Sequence, residues 1–189
     1  MTNSSHTQQK GFTLIETVIV IALSASMMVM IGVLLFNFSA TSSYQAALTE
    51  SSGSASALLR EIESLTLPAS EVLQTYTFSS STYTSSSTVL VLKIPSIDTV
   101  GNTITNTYDY AAFYVVGTKA YRLLEANVLS KRTSGTKQLS STINTLAFTY
   151  NNIIFSQVNT VTVDIQTRAQ TKQQTLDDHR REQIRLRNH

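Results

Sequence analysis

Few residues in this chain are of types that do chemistry, and their spacing is informative. Of its 189 residues none is Cys, so a thiolate metal site, a disulfide framework and a cysteine nucleophile are all excluded. Three His residues occur, His6, His179 and His189, and only His179 has acidic neighbours, Asp177 and Asp178. Such a grouping suggests a metal ligand set or an acid–base pair. Adjacent side chains diverge, however, and no second His completes a zinc site, so the segment reads as a solvated turn. Asp98, Asn102 and Asp109 offer the oxygen chemistry of a calcium site, but without the spacing of an EF-hand loop. Ser and Thr together number 52, yet no GxSxG elbow, P-loop or GxGxxG motif is present. The expectation is a chain without enzymatic activity, cofactor or metal.

One further acid stands in an unusual place. Glu16 lies near the start of FTLIETVIVIALSASMMVMIGVLLFNF, Phe12 to Phe38, and no charged residue follows it until Glu50. A bilayer core about 30 Å thick needs about 20 apolar residues as helix, and these 27 suffice. An acid in such a run costs about 2.5–3.5 kcal/mol at a helix centre and less near its end. A residue carried at that cost is kept for a partner. A cleaved secretory signal has an apolar core of only about 7–15 residues, so this run is too long for one. An uncleaved membrane anchor fits the length and leaves Gly11, Phe12 and Glu16 without a reason.

The helix is expected to run on. Tyr44, Leu48, Ala55, Leu58, Leu59, Ile62 and Leu65 recur at steps of three and four, an apolar stripe opposite Ser, Thr and Glu. Pro68 disfavours helix at the residue before it, which places the end near Thr66. The first half, apolar all round, suits lipid or a bundle of other helices; the second suits one face of a globular head. Residues 79–88, SSSTYTSSST, read as a Ser/Thr loop, with glycosylation the lesser reading. The period then becomes two. Val89–Ile94 is a strand stopped by Pro95; 108–124 is a hairpin around Gly117-Thr118; Thr142–Tyr150 is a strand with Leu146, Phe148 and Tyr150 on one face. Val161, Val163 and Ile165 alternate with polar residues, and Ile184 and Leu186 mark a last strand, with a short helix from Asp177 as the alternative. The sum is an α+β chain, a long helix on an antiparallel sheet.

The run KGFTLIE, Lys10–Glu16, resembles the N-terminal motif of type IV pilins and type II secretion pseudopilins. The resemblance implies a leader, residues 1–11, recognised through Lys10 and Gly11 and removed by a prepilin peptidase between Gly11 and Phe12. It implies N-methylation of the new terminus at Phe12. It implies that Glu16 pairs with the Phe12 amine of a neighbouring subunit and sets the stagger of a filament. The remaining parts are then a filament-core helix over 12–38, an amphipathic continuation over 39–67 and a β-rich head over 68–189. Strand pieces such as STVLVLKIP, YDYAAFYVVGTKAYRLL, LAFTYN and IRLRN resemble minor pilins and the J-type minor pseudopilin. Without Cys, the C-terminal disulfide loop of many major pilins is excluded. Partners implied are the peptidase, other pilin or pseudopilin subunits, an inner-membrane assembly platform and, before assembly, lipid. The location implied is the cytoplasmic membrane, crossed once with the head outside the cytoplasm, and then a pilus or pseudopilus. The competing reading is a surface adhesin that keeps its anchor and never polymerises.

Charge is sparse, 14% of residues, but uneven. Residues 12–117 hold 2 basic and 7 acidic side chains, and residues 118–189 hold 11 and 5. Three readings follow: a plain solvated surface, oppositely charged faces that steer stacking of subunits, and DNA capture through Lys131, Arg132, Lys137 and the Arg-rich C-terminal segment.

Overall fold

The structure is a computed structural model that describes residues 13–79, 81–171 and 175–187. Among the described residues one α-helix, α1 (Leu14–Thr66), is followed by ten strands, with a short 3-10 helix (Phe155–Gln157) before the ninth. These are β1 (Glu71–Val72), β2 (Thr75–Thr77), β3 (Thr82–Thr84), β4 (Leu90–Ile97), β5 (Thr103–Val116), β6 (Lys119–Glu125), β7 (Gly135–Ser140), β8 (Ile143–Tyr150), β9 (Thr160–Gln170) and β10 (Thr175–Arg185). The chain divides into two compact units, one ending at Ser43 and one starting at Tyr44. The class is α+β and pilin-like, a long N-terminal helix with antiparallel sheets packed on its C-terminal part.

In the first unit α1 is apolar and exposed on every side, with no buried residue before Ser51 anywhere on the helix. Its few hydroxyls turn back on the helix: Thr17 Oγ1 donates to the Thr13 carbonyl at 3.1 Å and Ser26 Oγ to that of Leu23 at 2.8 Å. In the second unit α1 buries Ala55, Leu58, Ile62 and Leu65, the three- and four-residue steps of the expected stripe. Tyr44 and Leu48 belong to the same stripe by spacing but stay 37% and 43% exposed. The helix ends at Thr66, two residues before Pro68, as the proline requires.

Three antiparallel sheets build the second unit, where the sequence led to one. The largest has the order β1-β4-β5-β6-β7, a second β10-β9-β8, and β2 and β3 form a small hairpin. The α1 stripe packs on Leu90, Leu92 and Phe113 of the first sheet and Phe148, Val163 and Ile165 of the second in one core. Each such side chain removed from water contributes about 1.5–3 kcal/mol. The β2–β3 hairpin covers the opposite face of the larger sheet, where Phe78 joins Val91 and Ala112 in a separate small core.

Hairpin 108–124 and the strand around Val161–Ile165 form as expected, the latter alternating buried and half-buried along β9. Other expectations are corrected. Residues 79–88 are not wholly loop: Thr82–Thr84 is a strand, held by Thr75–Thr84 and Thr77–Thr82 hydroxyl contacts of 3.2 and 3.0 Å and by Tyr83 packed against Phe78. Pro95 does not stop β4. β1 pairs with it only as far as Lys93, and a register shift follows Pro95, so the missing N–H falls where the ladder is already irregular. Asp177–His179 is strand, not turn or helix, paired residue for residue with β9. β7 was not expected at all; its TKQ stretch is exposed and polar.

Candidate functional site

The residues that could carry function at the N-terminus begin with Lys10, Gly11 and Phe12, which lie outside the described residues. Thr13 is the first described, and its carbonyl accepts the amides of Glu16 and Thr17 at 3.1 and 3.2 Å, which starts α1. Glu16 therefore sits in the first turn, where a carboxylate suits the helix dipole, and it is exposed. From Leu14 to Phe38 seventeen large apolar side chains are exposed, each between 51% and 84%. This helix is long and apolar enough to cross a membrane. The arrangement presents one carboxylate at the end of an apolar rod, geometry suited to a positive partner at the same depth.

The head places the other candidates in structural roles. Asp177 takes Arg168 in two hydrogen bonds, 2.7 and 3.2 Å, and that guanidinium holds its carboxyl below the usual range. His179 Nε2 lies 2.9 Å from Asp164 Oδ1, on the same sheet face, while Asp178 alternates to the other face and pairs with Arg180 at 3.2 Å. The three neighbours DDH thus have three different partners and form no joint site.

Asp98 and Asp109 are likewise committed. Oδ1 of Asp98 accepts the amides of Val100, Gly101 and Asn102 at 2.7–2.9 Å, closing the β4–β5 turn. The Asn102 bond is the main cause of its lowered pKa. Asp109 is wholly buried at an inward position of β5. It accepts from Ser96 Oγ (2.7 Å), the Asn127 amide (2.8 Å), Ser130 Oγ (2.7 Å) and Arg132 Nη1 (2.7 Å). Burial alone would push its pKa up; the bond from Arg132, helped by the other three, outweighs this and holds it low. Among the described residues no group of three or more His, Asp or Glu could hold a metal ion.

Two of the basic residues offered for DNA are also engaged within the head. Arg132 serves Asp109 and the Pro95 carbonyl, and Lys137 reaches Glu61 at 3.4 Å, beside the Arg122–Glu61 pair. Sequence reading missed the Asp109 cluster. Its only signal was an acid in an inward-facing register between Tyr108 and Tyr110.

Comparison with known proteins adds one finding. Residues 6–32 match the family model of the prokaryotic N-terminal methylation motif. No curated protein and no solved structure matches the chain. The matched segment contains Gly11, Phe12, Glu16 and most of the apolar run that ends at Phe38, and it supports a type IV pilin-like chain that is a substrate of prepilin peptidase.

Proposed function

We propose that this chain is a structural subunit, a minor pilin or pseudopilin, of a type IV pilus or type II secretion-like filament. The observation that carries the reading is the methylation motif over residues 6–32, read together with a helix whose large apolar side chains from Leu14 to Phe38 are all exposed. In this reading the chain enters the cytoplasmic membrane through α1 with its head outside the cytoplasm. A prepilin peptidase cuts between Gly11 and Phe12, where glycine leaves the bond accessible at the membrane face, and Phe12 is N-methylated. The helix then leaves lipid for a bundle of like helices, directed by an assembly platform. Glu16, inside an apolar surround, pairs with the Phe12 amine of a neighbour and fixes register, since an unpaired charge there is costly. The role is mechanical and associative, and no enzymatic activity is assigned to it.

Mass and N-terminal sequence of the chain isolated from its native membrane test the first step. A terminus at N-methyl-Phe12 is expected. A terminus upstream of Gly11, in cells with an active prepilin peptidase, would overturn processing and leave the anchored adhesin.

A further inference from the structure

The edge of a sheet is a row of N–H and C=O groups without partners, which proteins ordinarily shorten, cover or charge. Two exposed edge strands of the head, β10 and β7, flank α1. The register fixes which of their groups are free. The Leu186 amide donates to the Asn159 carbonyl at 2.9 Å, so the even-numbered residues of β10 bond to β9, while Asp177, His179, Arg181, Gln183 and Arg185 turn N–H and C=O outward. Past them the Arg187 amide is taken by the Leu67 carbonyl at 2.9 Å. Open space of about 730 Å³ flanks this end of the edge, lined among others by Glu63, Glu182 and Arg185. On β7 the two-residue turn Gly117-Thr118 closes on a bonded pair, Val116 and Lys119, so alternation makes Arg122 bond to Lys137 and turns Thr136 and Gln138 outward. Among the described residues no backbone hydrogen bond reaches the outward groups of Arg181, Gln183, Thr136 or Gln138.

The two edges run in opposite senses along α1. Arg180 donates to Ser52 Oγ and the Arg187 amide to the Leu67 carbonyl, so β10 runs with the helix. Ser140 Oγ meets Ser54 Oγ and Lys137 Nζ meets Glu61, so β7 runs against it. In two copies whose α1 segments are parallel, β7 of one is therefore antiparallel to β10 of the other. The side-chain faces agree as well. Lys137 and Arg180 point to the α1 side, and by alternation Gln138 and Arg181 point to the other. A register with Gln138 opposite Arg181 and Thr136 opposite Gln183 matches outward groups to outward groups, and it sets Lys137 opposite Glu182. Glu182 is exposed and has no ion-pair partner among the described residues. Lys137 is 56% exposed and shares Glu61 with Arg122, so one carboxylate there serves two cations. A slip of two residues would put Lys137 opposite Arg180 or Ile184, so charge selects the register.

We propose that β7 of one copy adds antiparallel to the free edge of β10 of a second copy, joining sheets of the two heads with Lys137 against Glu182. Backbone hydrogen bonds supply the affinity, and the cross-strand charge pair supplies the register. The two copies use different edges and leave one free at each end, so the contact is heterologous and repeats from copy to copy. The α1 segments stay parallel, as in chains whose heads lie on one side of a membrane. The contact rests on the edges of the head and not on the N-terminal motif.

Because the chain has no Cys, introduced thiols report cleanly. Opposite residues of a bonded antiparallel pair have Cα atoms about 5.5 Å apart, within reach of a disulfide. Two differently tagged full-length chains, one Gln138→Cys and one Arg181→Cys, are co-expressed in a bacterial membrane and oxidised with copper–phenanthroline. A mixed disulfide dimer well above either like-with-like dimer is expected. Adding Lys137→Glu to the first chain should lower the mixed yield about fivefold, and adding Glu182→Lys to the second should restore it. Restoration requires both chains to be folded, which separates a lost contact from a lost fold. A mixed yield no higher than the like-with-like yields, a yield indifferent to Lys137→Glu, or one that Glu182→Lys does not restore would overturn the contact. N-termini read on the same sample report processing separately, so either result stands without the other.

Discussion

Glu16 and Asp109 are both acids in apolar neighbourhoods, and they differ in what surrounds the carboxylate. Glu16 is exposed in the first turn of α1. In the proposed filament Glu16→Ala removes the charge that selects register, and its incorporation into filaments should fall at least about tenfold, read by immunoblot of sheared fibres. Normal incorporation would exclude the pairing with the Phe12 amine. Asp109 is satisfied four times over within its own head, so its role is stability. Asp109→Ala leaves the half-buried Arg132 without its counter-charge and strands the amide and hydroxyl donors that Asp109 accepts, and should cost about 3 kcal/mol in urea unfolding at pH 7. The sign of the pH effect follows from a folded pKa held below the unfolded value, about 3.9. The stability it contributes is complete above about pH 5 and is lost as pH falls through the folded pKa. The gap between the natural chain and Asp109→Ala should therefore narrow on acidification from pH 5 to pH 2.

At the scale of elements, the local signals that were strong in the sequence are those that one residue type or one period decides. Pro68 ends α1; alternation at Val161, Val163 and Ile165 makes β9; Gly117, with φ +63°, occupies the first position of a two-residue hairpin loop. Nothing lies within 4 Å of a Cβ built there. Gly117→Ala should thus lower stability by about 1–2 kcal/mol through the backbone alone, seen as a lower melting temperature. The α1 stripe was legible in period but not in extent. Leu58 is wholly buried and Leu48 is 43% exposed, so Leu58→Ala should cost about 2–5 kcal/mol and Leu48→Ala about 0.5 or less in the same unfolding assay. The end of β10 at Ile184 was legible as a last strand; its first part and β7 were hidden because few of their positions are apolar. In β10, the half-buried positions after Leu176 are Asp178 and Arg180, and Arg180 donates to Ser52 Oγ of α1 at 2.8 Å. A pattern reader needs apolar inward residues; here a helix shoulder of serines makes polar ones acceptable. The N-terminal site was the reverse case, legible from seven residues of which the first three lie outside what is described.

On the scale of the whole molecule, the charge imbalance between the two parts of the sequence folds back on itself in part. Glu61 of α1 meets Arg122 and Lys137, and Asp109 of β5 meets Arg132. No one-dimensional count could show this, since the Arg122–Glu61 partners are 61 residues apart. The pairing leaves less charge for stacking or for a polyanion than the totals imply. With both side chains under a quarter exposed, a double-mutant cycle of Glu61→Ala and Arg122→Ala should give a coupling of about 1–3 kcal/mol. A coupling near zero would mean the two charges are independent and available to other partners.

The uncovered helix has an energetic consequence of its own. Moving seventeen large apolar side chains from hydrocarbon into water would cost about 25–50 kcal/mol at about 1.5–3 kcal/mol each. Thermal motion does not cross such a barrier on any biological timescale. A bilayer that takes up this chain therefore holds it permanently against simple escape. Release requires a handover, in which each turn of helix that leaves lipid meets another greasy surface before it meets water. The traffic is then limited by the rate at which a receiving surface is offered.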